Sequence, residues 1–180
     1  KLKISKNDFT FLYLGRINKD KGILDLINAF KKIESLYSTF LVLVGPIEDT
    51  YISNFIRKNK QIIYVGETLL PEKWFSVADI LCLPSYREGF GSVIIEAGSC
   101  NLPTLGSNIY GIVDAIEKNQ TGFLHKTGDI NDIKNKMIFA IENKKLVKKY
   151  GKKARERVEE KFEENLISKK FLEFINSRMN

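Results

Sequence analysis

The chain of 180 residues has only two cysteines, one histidine and four prolines. Two cysteines and one histidine are too few to build a zinc site by themselves. No apolar run approaches the roughly 20 residues of a membrane span, and the polar stretch from Lys1 to Asp8 lacks the apolar core of a signal peptide. We therefore expect a cytoplasmic protein in which Cys82 and Cys100 are buried, reduced thiols. Because residue 1 is not Met, we expect an excised part of a longer protein.

The composition is that of a soluble globular protein, with 43% hydrophobic and 28% charged residues, and we expect one domain over residues 1–180. Positive charge is concentrated late: residues 126–180 hold 15 Lys and Arg against 9 Asp and Glu. This bias suits anionic partners, including an acidic membrane at the inner face of the plasma membrane. A solubilising helix surface explains it equally well. A nucleic-acid binder would need aromatic residues interleaved with the basic ones, and they are few, so we expect no nucleic acid.

Apolar segments and periodicity predict alternating strands and helices. Strands are predicted at 9–15, 40–45, 62–66, 78–83, 101–106 and 122–125. Helices are predicted at 22–36, 50–58, 71–77, 90–100, 111–117, 130–143, 145–161 and 165–177. This pattern predicts an α/β, Rossmann-like, doubly wound parallel sheet of about six strands, with helices on both faces and C-terminal helices at the end. In the common strand order 3-2-1-4-5-6, the first and fourth strands are neighbours and ligands bind at their carboxyl ends.

The stretch from Pro84 to Glu96 follows the predicted fourth strand, and the chain is organised around it. Two glycines, Gly89 and Gly91, allow close approach of the backbone, and the helix that follows presents free N–H groups to an anion. Ser92 is predicted to cap its first turn. A Gly-x-Gly turn alone is more often an ordinary strand–helix turn, but Glu88 and Glu96 on either side strengthen the functional interpretation.

A basic loop from Gly15 to Gly22 follows the predicted first strand. Under the 3-2-1-4-5-6 order it faces the glycine turn after the fourth strand. Arg16 offers bidentate donors and Lys21 a mobile charge, and both suit a phosphate. Lys19 is interpreted as a solvated lysine. Elsewhere, the lone His125 and the pair Trp74 and Phe75 are interpreted as structural residues.

Two segments carry a resemblance to a known family. The spacing Glu88-x7-Glu96, inside Pro-Ser-x-x-Glu-Gly-Phe-Gly, and the loop Gly15-Arg16…Lys21-Gly22 resemble the E-x7-E motif and the diphosphate loop of family 4 retaining glycosyltransferases, which have the GT-B fold. The resemblance spans about residues 9–150. One departure is Glu164, which stands where many relatives carry a tryptophan and leaves the docking of the final helix open.

The resemblance implies a role for each matching residue. Gly15, Arg16 and Lys21 hold the donor diphosphate, Glu88 lies beside the donor sugar, and Glu96 binds the ribose hydroxyls. Backbone contacts to sugar and phosphate come from the glycine turn and the helix start, that is from Gly89, Phe90, Gly91, Ser92 and Val93. The resemblance assigns the catalytic roles to Glu88, Arg16 and Lys21. It implies no required metal, in agreement with the absence of an Asp-x-Asp pair, and we expect no cofactor.

These inferences predict the donor half of a hexosyltransferase. Its substrate is a nucleotide-diphospho-sugar, and its acceptor is a glycan or lipid-linked molecule of polysaccharide biosynthesis. We expect that an N-terminal acceptor half is absent from residues 1–180 and that this part alone is inactive. The alternative is a standalone, non-catalytic domain that binds nucleotide sugars. A receiver-like signalling domain is disfavoured because it would need a clustered acidic pocket and would leave Arg16 and Lys21 unexplained.

Overall fold

The structure, a computed structural model, describes residues 4–5, 7–56 and 59–179. Six strands form one sheet, and every pairing in it is parallel. The strands are β1 (Phe9–Leu14), β2 (Thr39–Val44), β3 (Ile62–Gly66), β4 (Ile80–Leu83), β5 (Thr104–Ser107) and β6 (Gly122–His125). The six predicted strands are confirmed, with small shifts at their ends.

The helices follow the predicted order. They are α1 (Ile23–Lys31), α2 (Ser53–Ile56), α3 (Glu72–Phe75), α4 (Ser92–Ser99), α5 (Ile112–Ala115), α6 (Ile130–Glu142), α7 (Lys144–Lys161) and α8 (Glu164–Met179), with 3₁₀ turns at Lys19–Lys21 and Thr50–Ile52. The helix predicted to reach position 36 ends at Lys31, because turns follow at positions 32–36 and leave Leu36 69% exposed. The helix predicted over 50–58 is split into a 3₁₀ turn and α2, and its positions 57 and 58 lie outside the described residues.

The sheet order is β3-β2-β1-β4-β5-β6, which confirms the predicted doubly wound topology. β1 lies in the centre, where Phe11 pairs with Leu41 of β2 on one side and with Ile80 of β4 on the other. β2 and β3 therefore lie on one side of β1, and β4, β5 and β6 lie on the other. The loops after β1 and β4 come together at the carboxyl ends of the strands, where such folds bind ligands.

Side chains alternate across β1 and fill a core on each face of the sheet. Phe11 and Tyr13 point to the face covered by α1, where the Phe11 ring meets the Phe30 ring at 6.3 Å between centroids. Leu12 points to the other face and packs in a cluster with Ala97 of α4. Burying one large apolar side chain contributes roughly 1.5–3 kcal/mol, so both helix layers hold the central strand in place. Helices on both faces of the sheet are thus confirmed.

Helix α7 approaches α4 very closely. A Cβ atom on Gly151 would lie 2.0 Å from the carbonyl oxygen of Asn101, and a Cβ atom on Gly98 would lie 2.9 Å from the side chain of Val158. Only glycine leaves room for this packing. This contact holds the carboxyl end of α4 in place. The first turn of the same helix is part of the candidate functional site.

Two arginines of α7 reinforce this packing. Arg155 donates to the carbonyl oxygen of Ser99, the last residue of α4, at 2.9 Å. Arg157 donates to the carbonyl oxygen of Asp114, in the last turn of α5, at 2.9 Å. Both guanidinium groups satisfy carbonyls that a helix end leaves without intrahelical partners.

The residues interpreted as structural lie in or against the core. His125 is 1% exposed, its Nδ1 lies 3.0 Å from the carbonyl oxygen of Lys126, and Phe75 is 2% exposed. Trp74 is partly buried against the same cluster as Phe75. Cys82 is buried and free, as predicted, whereas Cys100 is free but only partly buried, since it follows the last turn of α4 near the surface.

The described side chains of helix α8 contribute little to either core, and the apolar ones among them are largely exposed. Ile167, Phe171, Leu172 and Phe174 are each between 49% and 61% exposed. Within the described ranges, no helix combines the length and apolar character needed to cross a bilayer.

Candidate functional site

The loop after β1 is shaped by its own polar groups. Gly15 has φ of 151° and Gly22 has φ of 65°, positive values that glycine adopts readily. Between them, the Tyr13 hydroxyl donates to the carbonyl oxygen of Arg16 at 2.6 Å. The Asn18 side chain accepts from the backbone N–H of Lys21 at 3.0 Å and caps the 3₁₀ turn. Burial raises the pKa of the Tyr13 hydroxyl, so it remains a donor that holds the loop.

The loop after β4 turns sharply into α4. Gly91 adopts φ of 66° and ψ of 55°, and α4 begins at the next residue, Ser92. The prediction that Ser92 caps the helix is wrong: the cap position is Gly91, and no side chain caps it. The left-handed glycine reverses the chain one residue earlier than expected, so Ser92 is already helical. The first N–H groups of α4 have no acceptor within the helix, and they point outwards from its N-terminal end.

The two loops are in contact. The Lys21 ammonium lies 2.6 Å from the Glu88 carboxylate, and the backbone N–H of Tyr86 donates to the carbonyl oxygen of Asp20 at 2.8 Å. A Cβ atom on Gly22 would lie 2.1 Å from the carbonyl oxygen of Pro84. The adjacency expected from topology is therefore present as direct side-chain and backbone contacts.

A cavity of about 290 Å³ opens between these loops, next to the start of α4. Its lining combines both loops, the ends of β1 and β4 and the first turns of α4: Tyr13, Leu14, Gly15, Arg16, Lys21, Leu83, Glu88, Gly91, Ser92, Val93 and Glu96. We call it the donor cavity, after the donor-binding role that the sequence resemblance predicts for most of these residues. Of the predicted site residues, Gly89 and Phe90 do not line it.

Gly89 and Phe90 lie at the outer side of the loop. The carbonyl oxygen of Gly89 packs so closely on Gly111 that a Cβ atom there would lie 2.0 Å away. The Phe90 ring is 42% exposed and meets the Phe162 ring, at the end of α7, with 5.5 Å between centroids. These two residues connect the loop after β4 to Gly111 and to the end of α7.

Sequence reasoning missed Glu48. Its carboxylate accepts from Asn18 at 2.7 Å and from Arg16 at 3.2 Å, and the hydrogen bond from Asn18, followed by Arg16, lowers the pKa of Glu48. Glu48 belongs to the loop after β2, the strand beside β1. A search of every loop at the carboxyl ends of the central strands would have found it.

Arg16 and Lys21, the two predicted phosphate ligands of the loop after β1, are thus paired with carboxylates. Lys21 pairs with Glu88, and these side chains are 16% and 17% exposed, whereas the Arg16–Glu48 pair is 62% and 41% exposed. The exposed pair is weak because solvent screens it, while the largely buried pair is screened less. An anion entering the donor cavity would meet two mobile cations and the N–H groups of α4, and would compete with Glu88 for Lys21. Among the described residues, no group of three or more His, Cys, Asp or Glu side chains is placed to hold a metal.

The fold matches solved glycosyltransferases. A glycosyltransferase from Rickettsia africae ESF-5 superposes with a TM-score of 0.89 and 26% sequence identity, over 98% of this chain and 49% of that one. HepE of Anabaena, in complex with UDP, superposes with a TM-score of 0.88 and 21% identity, over 95% of this chain and 49% of that one, which is a likeness of fold. The sheet order, the helix layers and these matches define a Rossmann-like domain of the GT-B type.

The sequence gives the family. Residues 1–157 match the family described as glycosyl transferases group 1, and the chain belongs to it. The capsular polysaccharide biosynthesis glycosyltransferase CapM of Staphylococcus aureus is 33% identical over 171 residues, which are 92% of this chain and 45% of CapM. The chain spans about half the length of the curated relatives it matches.

Proposed function

We propose that the chain is the donor-binding half of a family 4 retaining glycosyltransferase of polysaccharide biosynthesis. Its substrate would be a nucleotide-diphospho-sugar, and its acceptor a glycan or a lipid-linked molecule. One observation carries this proposal: a single cavity is lined by Arg16, Lys21, the start of α4 at Ser92 and the carboxylate of Glu96. Two cations and a helix start suit a diphosphate, and a carboxylate suits hydroxyls.

The geometry supports a division of labour within the donor cavity. The diphosphate would lie between the side chains of Arg16 and Lys21 and the N–H groups of Ser92 and Val93. Glu96 lies one helical turn beyond Ser92, roughly 6 Å along the axis, at a suitable distance for the ribose hydroxyls. Glu88, in contact with Lys21, would face the sugar.

The reaction would depend on charge and position. The bond between the anomeric carbon and the diphosphate oxygen breaks, and the diphosphate leaves with the electron pair. The acceptor hydroxyl forms the new C–O bond on the same face of the sugar, and its proton passes to the leaving diphosphate. Arg16, Lys21 and the helix start would stabilise the charge that develops on the diphosphate. Glu88, already paired with Lys21, need not act as a base.

The experiment is calorimetric titration of UDP into the 180-residue chain and into its Glu96→Gln variant. UDP is the probe because a solved protein of the same fold is in complex with it. We expect wild type to bind UDP and Glu96→Gln to bind about 1–3 kcal/mol more weakly, since a charge-assisted hydrogen bond is lost. Glu173→Gln, on the exposed part of α8, is the control.

The same samples test whether this chain binds the donor without transferring the sugar. Because the chain covers 45% of CapM, we expect it to bind the donor and to transfer no sugar. Robust transfer by the monomeric chain would contradict this expectation. Failure to bind any nucleoside diphosphate would overturn the proposed function itself.

We also propose that the basic helices bring the protein to an acidic membrane surface on the cytoplasmic side. Several exposed cations of α7 support this, namely Lys144, Lys145, Lys148, Lys149 and Lys152. The test is sedimentation with vesicles of phosphatidylcholine alone or mixed with phosphatidylglycerol, at low and high salt. Binding to the mixed vesicles that salt abolishes is expected, and equal binding to both vesicle types would contradict the proposal.

A further inference from the structure

A second cavity is lined by other residues of the same two loops that form the donor cavity. Its volume is about 510 Å³, within the range of roughly 300–1,000 Å³ that small-molecule sites occupy. Besides Gly22, it is lined by Lys19, Asp20, Leu24, Asp25, Tyr86 and Arg87. None of these residues takes part in the proposed donor site.

The linings of the two cavities are close together along both loops. Lys21 and Glu88 line the donor cavity, while Lys19 and Tyr86, two positions earlier in each loop, line the second one. Residues two positions apart are separated by at most about 7 Å of backbone. A ligand with two linked units could therefore place one unit near the donor cavity and the next in the second cavity.

Tyr86 is exposed and yet held at three points. Its backbone N–H donates to Asp20, and its hydroxyl donates to the Asp25 carboxylate at 2.5 Å. Its ring edge lies against Gly128, where a Cβ atom would come within 3.1 Å of the Tyr86 hydroxyl oxygen. The residue as a whole is 45% exposed. A fixed, exposed aromatic face is a preorganised surface for the apolar face of a sugar ring, because little side-chain entropy is lost on binding.

The charges of the cavity balance. Lys19 and Arg87 supply two cations with donors only, and Asp20 and Asp25 supply two carboxylates with acceptors only. In the part of the chain that the structure describes, the side chains of Lys19, Asp20 and Arg87 make no hydrogen bond or ion pair. An anionic ligand would meet two carboxylates and a cationic ligand two cations, whereas sugar hydroxyls both donate and accept.

We propose that this second cavity binds a neutral saccharide unit of a glycan acceptor, stacked on Tyr86 and hydrogen-bonded by Arg87, Lys19 and the two aspartates. The proposal rests on the proposed donor function and assigns part of acceptor recognition to this chain. It favours a glycan over other acceptors. The unit in the second cavity is the neighbour of the one that receives the transferred sugar.

The experiment is an NMR titration of the ¹⁵N-labelled 180-residue chain with three neutral disaccharides: maltose, cellobiose and N,N′-diacetylchitobiose. We expect at least one of them to shift the amides of Asp20, Leu24, Tyr86 and Arg87. Tyr86→Ala should weaken that binding about tenfold, the loss of one stacking contact. Tyr86→Phe should retain most of it. Tyr51→Ala is the matched control, because Tyr51 is also 45% exposed but lies outside the cavity.

Three outcomes would overturn the subsite: no disaccharide binds, the shifts survive in Tyr86→Ala, or only charged probes such as glycine or glucose 6-phosphate bind there. UDP added to the same samples separates this proposal from the donor function. If UDP shifts the amides of Ser92 and Glu96 while every saccharide fails, the subsite is wrong and the donor proposal stands. If the saccharides bind and UDP fails, the donor proposal is the one in error.

Discussion

The ammonium of Lys21 and the carboxylate of Glu88 are joined at 2.6 Å, and both side chains are more than four-fifths buried. This ion pair links the loop after β1 to the loop after β4 inside the donor cavity. It leaves the best-shielded cation of the cavity already neutralised before any ligand enters. Under the proposed function, binding of a phosphate there would therefore exchange one anion for another.

This exchange predicts the effect of Glu88→Gln on nucleotide affinity. We expect the variant to bind UDP at least as tightly as wild type, because the amide competes less with phosphate for Lys21. Sugar transfer by the longer enzyme should be lost. Calorimetry with UDP, alongside Glu96→Gln, measures the difference. Equal losses of UDP affinity in the two variants would contradict the separate roles of the two glutamates.

Arg16 and Lys21 should recognise the diphosphate and not the nucleoside. Arg16→Ala and Lys21→Ala are expected to lower UDP affinity and to leave the much weaker uridine binding nearly unchanged. Raising the salt concentration should reduce the difference, since ions screen the exposed side of the cavity. In the double variant the two losses should not add, because both cations contact one ligand group.

Lys19→Ala is the control for these two variants, since Lys19 belongs to the same loop but not to the donor cavity. It should leave UDP affinity within error of wild type. If uridine affinity falls as much as UDP affinity in Arg16→Ala or Lys21→Ala, the loop supports the fold or the base, and the placement of the diphosphate is wrong.

The contact between Phe90 and Phe162 is expected to couple the loop after β4 to the end of α7. The rings lie 5.5 Å apart, and the guanidinium of Arg157 lies 5.6 Å from the Phe162 ring. A double-mutant cycle with Phe90→Ala and Phe162→Ala, measured by urea unfolding, should give a coupling of about 0.5–1.5 kcal/mol. Phe174→Ala, on exposed α8, should change the free energy of unfolding by less than about 0.5 kcal/mol. Additive losses in the cycle would show that the rings do not interact in solution.

His125 should make stability depend on pH. Burial lowers the pKa of its imidazole below the ordinary value of 6.5. Just below pH 6.5 the unfolded chain therefore binds more protons than the folded chain. The free energy of unfolding keeps its full value above pH 6.5, and it falls as the pH drops towards the lower pKa of the folded state. One such group contributes at most about 1.4 kcal/mol per pH unit. Urea unfolding above and below pH 6.5 should show this slope in wild type and a smaller one in His125→Asn. An unchanged slope would exclude His125 as its source.

Much of the fold followed from local patterns in the sequence. Apolar runs such as the one ending at Leu83 are short and bounded by Pro or Gly, which identifies buried strands. Strand order followed from the doubly wound pattern, and that order alone places the loops of Lys21 and Glu88 at one edge of the sheet. Local periodicity was less reliable at the end of α1, where Leu36 fits the helical stripe but the chain has already turned away.

Features that depend on tertiary contacts did not follow from the sequence. Glu48 lies outside both motif segments, and only the packing of β2 beside β1 brings it to Arg16. The second cavity has the same origin, since Tyr86 meets Asp25, which lies 61 positions away in the chain. Ser92 was misassigned as a cap because the pattern does not show which residue adopts the left-handed conformation.

The central position of β1 also bears on how the protein folds. Lys21 and Glu88 are 67 positions apart in sequence, and β1 can pair with β4 only after β2 and β3 have been made. Closing so long a loop is slow relative to local contacts. During synthesis, one edge of β1 therefore presents unpaired backbone groups until β4 arrives, and such an edge invites pairing with other chains. The strand that organises the finished cleft thus has an edge open to aggregation while the chain is incomplete.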